Sequence, residues 1–129
     1  MTLSLHISDT NIQLQGSRIL VVGLGKTGQA AVRFFLQHGA RVSVSESSPQ
    51  NTLGPDVISM LEENKIAYET GGHSVDFFSA ADLIFVSPGI PLTLEPLAVA
   101  RRNNIPVIGE LAIAAQFLKT PVVAVTRRI

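Results

Sequence analysis

The chain has 129 residues, of which 46% are hydrophobic and 16% are charged. This length suits one domain with a real core, and the apolar content excludes a chain that is disordered throughout. Ten Lys and Arg balance ten Asp and Glu, and there is no cysteine. Without net charge we expect no nucleic-acid partner and no membrane surface, and without cysteine there are no disulfides or thiolate metal sites. No membrane-length apolar run and no leader pattern is present, so we expect a cytoplasmic protein.

Apolar runs separated by turn residues predict strands and helices in alternation. Residues 1–16 alternate only loosely and predict one short lead-in or edge strand. Beyond them, five apolar segments predict strands at 19–22, 42–44, 66–68, 83–86 and 106–109. Helical spacing predicts four helices. The first covers 30–36 and is closed by Gly39, and the second runs from Pro55 to just before Asn64. The third is short and passes through Phe77 and Phe78, and the fourth runs from a Thr93 cap to about Asn103.

This alternation predicts an α/β fold with a Rossmann-like, doubly wound, mostly parallel five-stranded sheet. Parallel strands require crossover helices, and right-handed crossovers place those helices on both faces of the sheet. A further helix is predicted from Glu110 to Leu118, followed by a sixth strand over 122–126. We therefore expect residues 1–109 to form the Rossmann-like domain and residues 110–129 to be the truncated beginning of a second domain.

Gly23, Gly25 and Gly28 form the pattern G-x-G-x-x-G between the first sheet strand and its helix. In dinucleotide-binding folds the first glycine allows a tight turn, the second admits a diphosphate, and the third lets helix and sheet pack closely. The main-chain N–H groups of Gly25, Lys26 and Thr27 would then point at a phosphate or diphosphate. The alternatives are a tight turn without a ligand and, for Lys26, a solvated loop position.

Two further loops are expected at the same edge, because all parallel strands end on that side of the sheet. Glu46 lies 18 residues after Gly28, where an acidic residue meets a ribose hydroxyl in such folds. An exposed loop carboxylate is the alternative for Glu46, and ordinary turn chemistry is the alternative for the neighbouring Ser47. The other loop begins with Ser87, Pro88 and Gly89, and its two prolines make it stiff.

No catalytic group and no metal site is predicted. The three histidines are scattered without ligand spacing. Glu62 and Glu63 are adjacent on a helix and point to different faces. A nucleoside triphosphate loop of the form G-x-x-x-x-G-K-[ST] is excluded because Leu20 occupies the place of its first glycine.

Six motifs together resemble the amino-terminal part of the Mur ligases, and most closely the branch that adds D-glutamate. They are V-G-L-G-K-T-G at 22–28, V-S-E-S at 44–47, G-G-H at 71–73, V-S-P-G-I-P at 86–91, P-V-I-G-E-L at 106–111 and P-V-V-A-V-T at 121–126. The resemblance begins at about Arg18 and covers most of the chain. The combination is more specific than any single motif.

The resemblance implies that residues 1–109 bind the UDP part of UDP-N-acetylmuramoyl-L-alanine. Carried over by position, Gly25, Lys26 and Thr27 would approach the diphosphate, Glu46 and Ser47 would meet the uracil end, and Ser87, Pro88 and Gly89 would line the pocket. It also implies an ATP-dependent ligase of peptidoglycan synthesis that uses Mg²⁺ and D-glutamate in parts outside these residues. We therefore expect the 129-residue chain to be inactive by itself.

Two other interpretations remain open at this point. A stand-alone NAD-binding Rossmann domain, with a redox or regulatory role, needs little more than the glycine pattern and Glu46. A non-enzymatic remnant could use the predicted strand over 122–126 to pair with another chain.

Overall fold

Within residues 3–7 and 10–117, which the computed structural model describes, strands and helices alternate along the chain. The strands are β1 (Ser4–Ile7), β2 (Thr10–Gln13), β3 (Arg18–Val22), β4 (Arg41–Glu46), β5 (Ala67–Thr70), β6 (Leu83–Val86) and β7 (Val107–Gly109). The helices are α1 (Lys26–Gln37), α2 (Pro55–Glu63), α3 (Val75–Ser79), α4 (Glu95–Arg102) and α5 (Glu110–Phe117), with a short 3₁₀ turn at Gln50–Thr52.

Five of the strands form one parallel sheet in the order β5-β4-β3-β6-β7. The chain builds this sheet outward from β3 to β5 and then returns to the other side of β3 with β6. The predicted Rossmann-like, doubly wound α/β fold is therefore confirmed. The strand order reverses between β3 and β6, and open α/β sheets bind their ligands at the carboxyl ends of strands at such a point.

The two faces of the sheet belong to two separate apolar cores. On β3, Ile19 and Val21 pack into the core that also holds residues of α1 and α2. Leu20 and Val22 face the opposite way, into the core with α3 and α4. Because helices cover both faces, a central strand is buried along its whole length and has a continuous apolar sequence rather than an alternating one.

The prediction of a single strand before residue 16 is wrong. β1 and β2 pair antiparallel, with Leu5 opposite Ile12. Leu5 and Leu14 are fully buried and belong to the same core as α1. Each strand has only four residues, which is too short for the alternation of side chains to reveal two strands and a turn.

The predicted helix ends are confirmed at two positions and wrong at a third. Pro55 lies in the first turn of α2, and Gly39, with φ +82°, follows the C-cap of α1. Thr93 is not the cap of α4, because Leu94 occupies that position and makes no side-chain cap bond. Pro96 lies in the first turn of α4, where the missing N–H of proline costs no helical hydrogen bond.

The helix predicted from Glu110 is present as α5 and is described as far as Phe117. Leu118 and the strand predicted over 122–126 lie outside the described residues. The division of the chain after residue 109 stays a prediction, since α5 follows β7 without an intervening loop. Over the described ranges, no helix combines the length and the apolar character needed to cross a membrane.

Candidate functional site

A cleft of about 290 Å³ opens at the carboxyl ends of β3 and β6. It is lined by Gly23, Leu24, Gly25, Lys26, Thr27, Glu46, Ser87, Pro88 and Ile90. Seven of the ten residues predicted for the site are in this lining. Leu24 and Ile90 were not predicted, since an apolar residue between glycines or prolines carries no chemical signal of its own.

Gly23 and Gly28 are required by the packing of α1 against the sheet. Gly23 has φ +94°, in the region that side chains disfavour. A Cβ on Gly28 would overlap the carbonyl oxygen of Gly23 and would lie 2.9 Å from Ser87 Oγ. Gly28 therefore lies beneath the cleft rather than in its lining, and it lets the helix approach the strand.

Gly25 differs from these two glycines because nothing in the described fold requires it. Its φ is −69°, and a Cβ built on it would meet no atom within 4 Å. Gly25 is the N-cap of α1, where it makes no side-chain cap bond, and the first turn contains no acidic residue. Gly25 lines the cleft, so its lack of a side chain leaves the helix start open to a ligand.

The helix start presents main-chain donors that the protein does not use. In the part of the chain that the structure describes, no group accepts a hydrogen bond from the N–H of Gly25, Lys26 or Thr27. The exposed ammonium of Lys26 adds positive charge at the same place. Unpaired N–H groups and the positive end of the helix dipole together suit an anion such as a phosphate.

The carboxylate of Glu46 lines the cleft and also accepts hydrogen bonds from the main chain. One carboxylate oxygen accepts from the N–H of Leu24 at 2.7 Å and the other from the N–H of Ser48 at 2.8 Å. Burial alone would raise the pKa of Glu46, but the N–H groups of Ser48 and Leu24, with a smaller contribution from His73, hold it below its ordinary value. The carboxylate thus stays ionised at neutral pH and ties the glycine turn to the loop after β4.

Ser87 fixes the glycine turn from the other side. Its hydroxyl donates to the carbonyl oxygen of Gly23 at 3.0 Å, and its main-chain N–H donates to Val22 at 3.0 Å. The side chain is buried. Ser87 therefore lines the cleft as predicted, while its only hydroxyl proton is already used within the protein.

Two predicted residues, Ser47 and Gly89, lie outside the lining of the cleft. Ser47 is exposed next to Glu46, and Gly89 is exposed in the loop after β6 with φ +89°. Their places at the carboxyl edge agree with the prediction, although the cleft as it stands does not reach them.

A polar cluster behind Glu46 was not predicted. The buried hydroxyl of Ser45 donates to Glu69 at 2.7 Å and lies 2.6 Å from Nδ1 of His73. Glu69 also accepts from the N–H of Ser74, the N-cap of α3, at 2.8 Å. Burial opposes ionisation of Glu69, but the Ser45 and Ser74 bonds dominate and lower its pKa. The cluster fastens β5 and the following turn to β4, and only strand register, which pairs Ser45 with Glu69, could have revealed it.

Comparison with known sequences identifies the domain that carries this cleft. The family model of the Mur ligase MurD-like N-terminal domain matches residues 17–109. The chain belongs to this family. UDP-N-acetylmuramoylalanine--D-glutamate ligases of Acidobacterium capsulatum and Citrifermentans bemidjiense are each 44% identical to it over 115 residues, which is 89% of this chain and 25% of each relative. The chain thus spans about a quarter of the length of these curated relatives.

Solved structures agree on the fold of this MurD-like domain. A pseudomurein peptide ligase type C from Methanothermus fervidus matches with a TM-score of 0.63 and 24% identity, over 82% of this chain and 21% of that one. UDP-N-acetylmuramate-alanine ligase from Thermotoga maritima matches with a TM-score of 0.61 and 24% identity, over 80% and 23%. At this identity the likeness speaks for the fold alone.

Proposed function

We propose that this MurD-like domain binds the UDP part of UDP-N-acetylmuramoyl-L-alanine in the cleft between β3 and β6. The observation that carries the proposal is the set of unused N–H groups at Gly25, Lys26 and Thr27, beside an N-cap glycine that the fold does not need. Each phosphate oxygen is a strong acceptor, and the helix start supplies donors without a competing carboxylate. The diphosphate therefore binds to the main chain, with Lys26 contributing charge.

With the diphosphate at the start of α1, the remaining parts of the nucleotide can be assigned to the loops on either side of the glycine turn. Glu46 and Ser47 lie at the end of β4, on one side of the glycine turn, and we assign them to the uracil end. The carboxylate of Glu46 keeps lone pairs that its two amide partners do not use. Ser87 and Pro88 line the cleft on the β6 side, and we assign Gly89, which follows them in the same loop, to a nucleotide contact beyond the present lining. Gly23 and Gly28 give the turn its shape.

For the whole protein we propose the activity of a UDP-N-acetylmuramoylalanine--D-glutamate ligase, the enzyme that its relatives are named for. We propose that it joins D-glutamate to UDP-N-acetylmuramoyl-L-alanine in peptidoglycan synthesis, with ATP and Mg²⁺. Residues 1–109 would be the UDP-substrate domain and residues 110–129 the start of the next one. The 129-residue chain would have no ligase activity alone. We place the protein in the cytoplasm, since a chain without cysteine suits a reducing compartment.

The residues that the structure describes offer no site that fits ATP or Mg²⁺. The sequence contains no G-x-x-x-x-G-K-[ST] loop, and the described residues contain no group of three acidic or histidine side chains that could hold a metal ion. We therefore assign neither group to this chain and derive no chemical step through it. What this chain contributes is the binding and orientation of the nucleotide.

A ligand comparison separates this proposal from an NAD-binding domain. Glu46 alone does not decide between the two, because the lone pairs that its amide partners Leu24 and Ser48 leave free suit a ribose hydroxyl as well as the N–H of uracil. We expect UDP at about 100 times its dissociation constant to stabilise the fold by about 2.7 kcal/mol. NADH at the same concentration should give little, and protection by NADH without protection by UDP would reverse the assignment.

A pair of matched substitutions tests the position of the diphosphate. Gly25→Asp places bulk and negative charge in the cradle and should abolish protection by UDP. Gly54→Asp is the control, because Gly54 is also a helix N-cap with negative φ and with no atom within 4 Å of a Cβ. Aspartate is a favourable N-cap at both sites, so both variants should fold. Retained UDP binding in Gly25→Asp would remove the helix start from the site.

A further inference from the structure

Gln29, near the start of α1, makes a side-chain contact that the glycine pattern does not predict. Its side-chain Nε2 donates to the carbonyl oxygen of Leu24 at 2.9 Å. Its main-chain N–H makes the ordinary first bond of the helix, to the carbonyl oxygen of the N-cap Gly25 at 2.9 Å. The side chain of Gln29 therefore adds a second tie to the glycine turn, one peptide unit before the N-cap carbonyl.

The direction of these carbonyl groups decides where the N–H groups point. The described peptide bonds include no cis bond, and in a trans peptide the C=O and N–H point in opposite directions. With the Leu24 carbonyl turned toward α1 by Gln29, the N–H of Gly25 points away from the helix. Gly25 lines the cleft, and no group in the described residues accepts its N–H.

We propose that Gln29 is a positioning residue that holds the N–H of Gly25 toward the diphosphate, an inference that rests on the proposed function. The peptide unit between Leu24 and Gly25 has no other hydrogen bond in the described residues. Glycine also allows this unit to rotate more freely than any other residue would. A site that uses glycine to admit a diphosphate therefore needs a separate restraint on the donor, and Gln29 provides one.

The test is Gln29→Met, which keeps the length and the helix propensity of the side chain but cannot donate to the Leu24 carbonyl. The control is Gln37→Met, the same change at an exposed position of the same helix. Affinities for UDP and for uridine are measured by amide chemical-shift titration. We expect Gln29→Met to weaken UDP binding about three- to tenfold, as for one hydrogen bond, and to leave uridine binding unchanged.

The ratio of the two affinities separates positioning from a general loss of structure. A destabilised domain would lose UDP and uridine binding together, and such a result would overturn the proposal. If Gln29→Met keeps the full preference for UDP over uridine, Gln29 has no positioning role although the site stands. If the unchanged chain itself shows no preference for UDP, the diphosphate site is wrong.

A second measurement uses the unchanged chain and does not depend on any variant. The amide resonance of Gly25 should move downfield on addition of UDP and stay in place on addition of uridine, since its N–H would donate to a phosphate oxygen. A Gly25 amide that does not respond to UDP, while those of Lys26 and Thr27 do, would also overturn the proposal.

Discussion

Gly25 and Gly28 belong to one motif, yet the structure predicts that replacement by alanine destabilises the fold at Gly28 and leaves its stability nearly unchanged at Gly25. In Gly28→Ala the new methyl would overlap the carbonyl oxygen of Gly23 and lie 2.9 Å from both its carbonyl carbon and Ser87 Oγ. The atoms it strikes cannot rotate away, because that carbonyl accepts from Ser87 at 3.0 Å and the N–H of Gly23 donates to Ser45 at 2.9 Å.

The magnitude follows from the kind of contact. Overpacking a core position costs about 1–3 kcal/mol, and a clash with fixed main chain falls at the upper end. Loss of the buried bond between Ser87 and Gly23 adds about 1 kcal/mol. We expect Gly28→Ala to lower the free energy of unfolding by about 3 kcal/mol or more, which for a domain of this size lowers Tm by about 10 °C or more.

Gly25→Ala should change the stability by no more than about 0.5 kcal/mol. Alanine is a poorer N-cap than glycine by about 0.5–1 kcal/mol, but it also restricts the unfolded chain, which offsets about 0.4–1 kcal/mol. Its Cβ meets no atom within 4 Å. The Gly25→Ala substitution should instead change the affinity for UDP. Urea denaturation of both variants, with UDP titration of those that fold, measures both quantities.

A measurement on either variant can contradict these two predictions. A Gly28→Ala variant with the Tm of the unchanged chain would show that α1 does not approach β3 as closely as described. A Gly25→Ala variant that unfolds easily would show that the fold, rather than a ligand, requires that glycine.

Two further predictions concern charge and helix capping. Glu46→Gln leaves one of the two amide donors to Glu46 without a good acceptor and should lower the free energy of unfolding by about 1–3 kcal/mol at pH 7. The folded state lowers the pKa of Glu46. The contribution of the carboxylate to stability is therefore present above about pH 4.3 and is lost as the pH falls through the lowered pKa. Urea denaturation at pH 7 and pH 3 should show the difference between the two proteins shrinking, and a constant difference would rule out this origin. Ser74→Ala should cost about 1 kcal/mol, because Ser74 Oγ accepts from the N–H of Phe77 at 3.2 Å. Thr93→Ala should be neutral within about 0.5 kcal/mol, and equal thermal shifts for the two variants would contradict the assignment of the caps.

The sheet could be predicted from the sequence because its strands are buried on both faces. Segments such as 19–22 and 83–86 are continuous apolar runs, and glycine or proline stops each one. The hairpin of β1 and β2 could not be predicted in the same way. Its strands are four residues long, and the burial of Leu5 and Leu14 depends on packing against residues farther along the chain, such as those of α1.

The cap of α4 shows the limit of local rules. Thr93 is a good N-cap residue by type, but Leu94 is the cap. Thr93 lies inside a preceding turn, in which the N–H of Leu94 donates to the carbonyl oxygen of Pro91 at 3.3 Å. The first helical bond then runs from the N–H of Ala98 to the carbonyl oxygen of Leu94 at 3.1 Å, so the turn rather than the residue type sets the start of the helix.

The positions of the site residues could be predicted, but the directions of their side chains could not. Glu46 and Ser87 lie just after the strands predicted over 42–44 and 83–86, whereas Gln29 precedes the helix predicted over 30–36. Their polar atoms bind two successive peptide groups of the glycine turn. Glu46 and Ser87 bind the group between Gly23 and Leu24, and Gln29 binds the group between Leu24 and Gly25. Sequence reports which atoms are present, and only the folded backbone reveals which carbonyls and amides lie within reach of them.

This arrangement has a consequence for how the domain recognises its ligand. Side chains that hold the main chain fix the donors before a ligand arrives, so the ordering of the turn does not have to be completed on binding. The donors themselves are backbone N–H groups, which among the standard residues only proline removes. Replacements at Glu46, Ser87 or Gln29 should therefore weaken binding by degrees through altered geometry, whereas an acidic side chain at Gly25 should abolish it.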